Sequence, residues 1–213
     1  MRSRVYSFQF KLLVLSILSF SLFSSVSAEQ KQLHGFQNIP WESSMGFVKS
    51  KFPQVKEIDW CKIFALGTND LKKRQLEFKN KDSSCISLEQ DNYPVAGFQF
   101  SLRFSFNSSN KLERVVVSKE FDSRDGEMYP ILCTSSYDKL TNLLTINYGA
   151  GSEIGNLDEF KTGFKNIKGK GWLPLPSEIT LTQKYDNEFL ASVQKPDNCV
   201  VQIQYALHGN SRL

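Results

Sequence analysis

Histidine is almost missing from this chain of 213 residues: His34 and His208 are the only two. Zinc centres draw on cysteine and histidine clustered at short spacing, and the four cysteines, Cys61, Cys85, Cys133 and Cys199, form no Cys-x-x-Cys pair. Neither a metal nor another cofactor is expected. A serine–histidine nucleophile would have to recruit one of two histidines near the chain ends. No Gly-x-Ser-x-Gly elbow, Walker loop or His-Glu-x-x-His run occurs. Gly149, Gly151 and Gly155 are spaced one residue too far for a dinucleotide fingerprint, and they follow a helical pattern, not a strand. Gly149 reads better as a helix C-cap. These absences argue against an enzyme.

Long apolar runs are scarce too. The one candidate is Leu12–Phe23, preceded by Arg2, Arg4 and Lys11 and followed by the small residues Val26-Ser27-Ala28. Basic start, short apolar stretch and small-x-small end are the three parts of a secretory signal peptide. A spanning helix needs about 20 mostly apolar residues, more than this serine-laced run offers. Residues 1–28 are therefore expected to be cleaved after Ala28. No transmembrane segment is expected thereafter, and no cysteine follows the cut to carry a lipid. The protein is expected to be exported, to the periplasm or the extracellular space.

Loss of the leader removes three basic residues and no acidic one, leaving 23 basic against 22 acidic side chains in residues 29–213. The excess of positive charge over the full chain is largely a property of the leader. It does not point to nucleic acid or an anionic membrane as partner. In an oxidising compartment an even cysteine count suits two disulfides. Three pairings are possible. Cys61–Cys85 with Cys133–Cys199 is favoured, because each pair then lies within one half of the chain.

Residues 29–37 are polar and expected to be loose. The segment 38–121 opens with a helix capped by Ser43, its face formed by Met45, Val48 and Phe52 and its end set by Pro53. Strands are expected over 58–66 and 71–79, parted by the turn-like Gly67-Thr68-Asn69-Asp70, with a short one over 85–88. The clearest strand is Phe98–Phe106, where large apolar residues fill every second position. Asn107-Ser108-Ser109-Asn110 turns it into a strand over 111–121, and Asn107-Ser108-Ser109 also fits the N-glycosylation pattern. The segment 122–213 starts with the charged connector 122–127. A second helix over 136–148 follows, capped by Ser135 or Ser136, with Tyr137, Leu140, Leu144 and Tyr148 on its apolar stripe. Residues 150–171 show no period. Trp172 then opens three alternating strands, through Ile179–Tyr185, Phe189–Val193 and Val201–Leu207. The fold class is α+β: two short helices on antiparallel meanders, either as a tandem duplication or as one continuous sheet.

The opening Asn38-Ile39-Pro40-Trp41 with Ser43, Val48 and Phe52 resembles small bacterial periplasmic proteins. So do Tyr137, Leu140 and Leu144 ahead of Tyr148-Gly149, and Trp172 followed by Ile179 and Leu181. These stretches are similar to helix-plus-antiparallel-sheet modules of the beta-lactamase-inhibitor-like proteins and of the SmpA/OmlA-type outer-membrane assembly lipoproteins. The chain departs from the lipoproteins in lacking a lipidation cysteine, and from the first motif in carrying Glu42 where a glycine often follows the tryptophan. The resemblance implies a binding or adaptor role without catalysis.

The expected activity is binding of another protein or an envelope component. Trp41 and the basic–aromatic strip Phe160, Phe164, Lys165, Lys168, Lys170 and Trp172 are the candidate contacts. A carrier of a lipid or other apolar ligand, with the Phe98–Phe106 face lining a cavity, is one alternative. A hydrolase using carboxylates among Asp122, Asp125, Glu127, Asp158 and Glu159 is another.

Overall fold

A computed structural model describes residues 33–65, 68–154, 164–186 and 198–208. The leader with its expected cleavage point at Ala28, and the strand expected over Phe189–Val193, lie outside the described residues. Residues 31–213 cohere as one compact unit.

The chain enters the fold earlier than its polar start suggests. Strands β1 (Gly35–Phe36) and β2 (Ile39–Pro40) pair as a tight hairpin that buries Phe36 and Ile39. Gly35 is obligatory there, since a Cβ would stand 1.9 Å from the Ile39 carbonyl oxygen. Helix α1 (Met45–Lys51) follows, capped by Ser44, whose hydroxyl accepts from the Phe47 amide at 3.3 Å. Ser43, the expected cap, instead donates to the Pro40 carbonyl. Val48 is buried, with Met45 and Phe52 packed beside it.

The two strands expected over 58–66 and 71–79 are replaced by β3 (Lys56–Asp59), α2 (Trp60–Ile63) and α3 (Thr68–Asn80). Asp59 ends the strand by capping α2, accepting from the Lys62 amide at 3.1 Å. Residues 69–80 contain no β-branched side chain and are rich in Leu, Lys, Arg, Gln and Glu, all strong helix formers.

From Ile86 onward the sheet dominates: β4 (Ile86–Val95), β5 (Phe98–Phe106) and β6 (Leu112–Asp122) form a meander. The β5–β6 turn is closed by the Asn107 Oδ1, which accepts from the amides of Ser109 and Lys111 at 3.0 and 2.9 Å. A 3-10 turn, Ser123–Asp125, leads to α4 (Tyr129–Tyr148). This helix begins seven residues before the expected start, so Ser135 and Ser136 lie inside it and cap nothing. Pro130 sits in the first turn, where its missing N–H costs no hydrogen bond. Gly149 closes the helix at φ 82°, a conformation glycine adopts without strain.

The stretch 150–171, which shows no period, supplies β7 (Ser152–Glu153) and most of β8 (Phe164–Trp172). Glycine is a poor strand former. In β8, however, Gly169 and Gly171 leave room for Ile154, whose side chain comes within 3.5 and 3.7 Å of where their Cβ atoms would be. Strands β9 (Ser177–Asp186) and β10 (Asn198–Leu207) complete the fold, hydrogen-bonded directly to each other from Asn198↔Asp186 to Leu207↔Ser177.

All eight strands β3–β10 belong to one antiparallel sheet, ordered β3-β4-β5-β6-β10-β9-β8-β7. β10 bonds to β6, so the two meanders fuse into one sheet. Alternation sets the inner face: Phe100, Leu102, Phe104 and Phe106 from β5, Val115 and Val117 from β6, Val201 and Ile203 from β10, Ile179 and Leu181 from β9. All are at most 2% exposed. The β1–β2 hairpin and α1 cover one half of this face, with Phe36 and Phe52 set 6.0 and 5.0 Å from the Phe104 ring. Helix α4 covers the other half, through Tyr129, Cys133, Tyr137, Leu140 and Leu144.

Two disulfides fasten the covering elements: Cys61–Cys85 and Cys133–Cys199, the favoured pairing. The second ties α4 to β10 inside the core. The first ties α2 to the start of β4. There Trp60 lies on the sheet face away from the core and donates through its indole N–H to Ser87 Oγ at 2.9 Å.

Candidate partner-binding surface

The side chains expected to meet a partner are largely occupied inside the fold. Trp41 is 8% exposed, and its indole nitrogen donates to Ser177 Oγ at 2.5 Å. Trp172 is 3% exposed, and its indole nitrogen donates to the Gly149 carbonyl at 2.9 Å. Both indoles are core side chains with their one donor satisfied, so neither offers a contact surface. Lys168 pairs with Asp138 of α4 at 3.8 Å and lies over the Tyr137 ring. Lys170 pairs with Glu153 at 3.2 Å. Both lysines thus brace β8 against its neighbours. Phe160, Asp158 and Glu159 lie outside the described residues, as do the side chains of Phe164 and Lys165.

Two of the connector's carboxylates are spoken for as well. Asp122 accepts from the backbone amide and the guanidinium of Arg124. The Arg124 hydrogen bonds hold its carboxyl below the usual range. Asp125 accepts from the Asp122 amide at 3.1 Å. This is a salt-bridged turn, not a facing acid–base pair. Among the described residues no group of three or more His, Cys, Asp or Glu is placed to hold a metal ion. His208 Nδ1 stands 3.3 Å from Glu178. Phe100 and Phe104, on the face supposed to line a carrier cavity, belong to the packed core cluster, and Phe98 packs against it, meeting Phe121 edge-on at 6.1 Å.

The surface that stands out was not singled out in the sequence: the outer side of α4. The helix has 20 residues, of which only Asp138 and Lys139 are charged. Both reach back onto the sheet layer, Asp138 to Lys168 and Lys139 over the Phe98 ring at 4.9 Å. Beside the exposed polar Thr134, Asn142, Thr145 and Asn147, the outward side carries large apolar residues. Ile131 is 59% exposed and Ile146 83%, with Leu132 and Leu143 also exposed and Met128 just before the helix. These positions fall within one arc of about 120° at 3.6 residues per turn, on the opposite side from the buried stripe.

A shallow groove of about 570 Å³ runs beside this arc, lined by Pro130, Ile131, Thr134, Asp138, Lys139 and Tyr185 among others. Its floor is fixed. Gln183 donates to the Tyr185 hydroxyl at 3.0 Å, the Thr134 hydroxyl stands 3.4 Å from the same oxygen, and the Cys133–Cys199 bridge lies beside Gln183. Sequence periodicity finds the buried stripe of an amphipathic helix. The missed signal was composition: an α4 outer face with so few charges is unusual for a helix half in water.

No protein-family model, curated protein or solved structure matches this chain. Its two disulfides fit an oxidising, exported environment, and no helix among the described residues is long and apolar enough to cross a membrane.

Proposed function

We propose that this is an exported binding or adaptor protein without catalytic activity, and that it docks another protein on the outer face of α4. The observation that carries this reading is the set of exposed apolar residues Met128, Ile131, Leu132, Leu143 and Ile146 along a helix with only two charged side chains, both engaged with the sheet layer. Large exposed apolar side chains gathered in one patch mark interaction surfaces. The disulfide beneath and the hydrogen-bonded groove floor keep the patch in one shape, which lowers the ordering cost of association.

A photo-reactive residue at Ile146 should give one saturable adduct with a partner protein in the exported fraction. The same residue at Glu120, which is exposed on the other side of the sheet, should give none. Equal labelling from both positions would end the proposal. So would an adduct consisting only of a second copy of this chain, accompanied by a dimer in sedimentation.

A further inference from the structure

The near-neutral charge of residues 29–213 conceals a strong local imbalance. Residues 60–81, which span α2 and α3, carry six basic side chains (Lys62, Lys72, Lys73, Arg74, Lys79, Lys81) and two acidic ones. The rest of 29–213 then holds 17 basic and 20 acidic residues. The positive charge left after the leader is removed is thus gathered in one corner of the fold.

The corner also has a defined outward side. At 3.6 residues per turn, Lys72, Lys73, Leu76 and Lys79 fall within one arc of about 120° on α3, while Leu71 and Phe78 lie on the other side. Burial agrees: Leu71 and Phe78 are half-buried, whereas Lys72, Lys73, Leu76 and Lys79 are exposed. Arg74 is paired with Glu77 at 2.9 Å and Lys62 with Asp59 at 3.1 Å. No ion pair among the described residues takes up Lys72, Lys73 or Lys79. Leu76 shares their arc, and Ile63 and Phe64 stand at the end of α2, which packs against α3; each of the three is more than half exposed. The Phe64 ring stacks at 5.4 Å on Trp60, and Trp60 in turn lies under the Arg103 guanidinium. The Cys61–Cys85 bridge and the Trp60 amide, which donates to the Cys85 carbonyl at 2.9 Å, pin α2 to the sheet.

We infer that the α2–α3 corner is a docking surface for an anionic lipid membrane. Three lysines supply attraction to phosphate headgroups. Leu76 within the lysine arc, with Ile63 and Phe64 at the end of the adjoining α2, supplies the apolar side chains that an interfacial helix sinks into the headgroup boundary. An acidic protein would match the charge but not the exposed aliphatic and aromatic residues of the same corner. This inference is independent of the α4 reading, because the two surfaces share no residue.

The test is flotation of the protein, recovered after export with its N-terminus checked by mass, on vesicles of phosphatidylcholine alone or mixed with phosphatidylglycerol. Binding is expected to the mixed vesicles only, and it should weaken as salt rises. A lysine near an anionic surface contributes about a fivefold gain in affinity, so Lys72→Gln, Lys73→Gln and Lys79→Gln together should lower it roughly a hundredfold. Ile63→Ser with Phe64→Ser should also weaken binding. Replacing the exposed lysines Lys51, Lys56 and Lys111 by Gln should leave it near the starting value. Circular dichroism of each variant reports whether the fold is retained. Three results would overturn the inference: no binding to mixed vesicles, equal loss from the control lysines, or full binding by the Lys72/Lys73/Lys79 variant. Tight binding of soluble polyglutamate that ignores the Ile63/Phe64 change would reassign the corner to an acidic macromolecule and overturn it too.

Discussion

Trp41 and Ser177, 136 residues apart in the chain, meet in a buried hydrogen bond of 2.5 Å from the indole nitrogen to the seryl oxygen. The same hydroxyl donates to the Leu33 carbonyl. One fully buried serine at the start of β9 thereby anchors the first described segment of the chain to the last meander. Without it, the segment leading to the β1–β2 hairpin would lose its side-chain link to the sheet.

Ser177→Ala should therefore be costly for so small a change. It strands the Trp41 indole N–H and removes the donor to Leu33, and a buried polar group left unpaired costs about 1–3 kcal/mol. Urea unfolding followed by tryptophan fluorescence should show a lower midpoint with an unchanged slope. A midpoint equal to that of the parent would show that the bond contributes nothing.

The two disulfides should differ in what they hold. In the chain-entropy picture, a bridge closing the 66-residue separation of Cys133–Cys199 stabilises by about 4.3 kcal/mol, against about 3.4 kcal/mol for the 24-residue separation of Cys61–Cys85. Replacing each pair by alanine should rank them in that order in denaturant unfolding. Hydrogen exchange should separate them further. Loss of Cys61–Cys85 should speed exchange mainly in α2 and α3, whose contacts with the sheet are few. Loss of Cys133–Cys199 should speed it throughout α4 and β10. Reversal of the two exchange patterns would contradict this division of roles.

The elements that were legible are those whose pattern is set by burial on one side. Strand β5 carries Phe98, Phe100, Leu102, Phe104 and Phe106 at every second position because its other face meets water, and its bounds are legible to the residue. The cysteine pairing was legible because each pair closes within one half of the chain. Helix α3 is not legible, for the converse reason. It buries only part of Leu71 and Phe78, so the few apolar residues it has could be taken for strand alternation; the absence of β-branched residues over 69–80 is the better guide. Strand β8 could not be read at all, since Gly169 and Gly171 are strand residues only because Ile154 fills the space over them. Trp41 and Trp172 looked like contacts because a sequence does not say which way an indole points. Both turn inward, and each finds an oxygen for its N–H.

The Asp122–Arg124 turn gives a pH signature. Hydrogen bonds from Arg124 lower the Asp122 pKa from its usual 3.8. A carboxyl depressed in the folded state contributes stability that is fully present above the unfolded-state value and is lost as pH falls through the folded one. This contribution should therefore be flat above about pH 5 and be lost progressively as pH falls through the lowered folded-state value. In a carbon-detected NMR titration the Asp122 midpoint should lie below that of an ordinary aspartate, and Arg124→Ala should return it upward. A midpoint that Arg124→Ala leaves unmoved would remove Arg124 as the cause.

Gly151 offers a test of the structural role now given to Trp172. A Cβ added at Gly151 would lie 2.5 Å from the Trp172 indole and within 3 Å of two more of its ring atoms. The ring cannot swing away freely. It is 3% exposed, and its N–H is held by the Gly149 carbonyl at 2.9 Å. Gly151→Ala must therefore displace the indole or the segment between α4 and β7. Overpacking of this kind costs about 1–3 kcal/mol, and breaking the Trp172 bond would add to it. Tryptophan emission should shift red as the ring gains solvent, alongside a lower unfolding midpoint. If Trp172 instead faced a partner, alanine beside it would change neither quantity in the isolated protein.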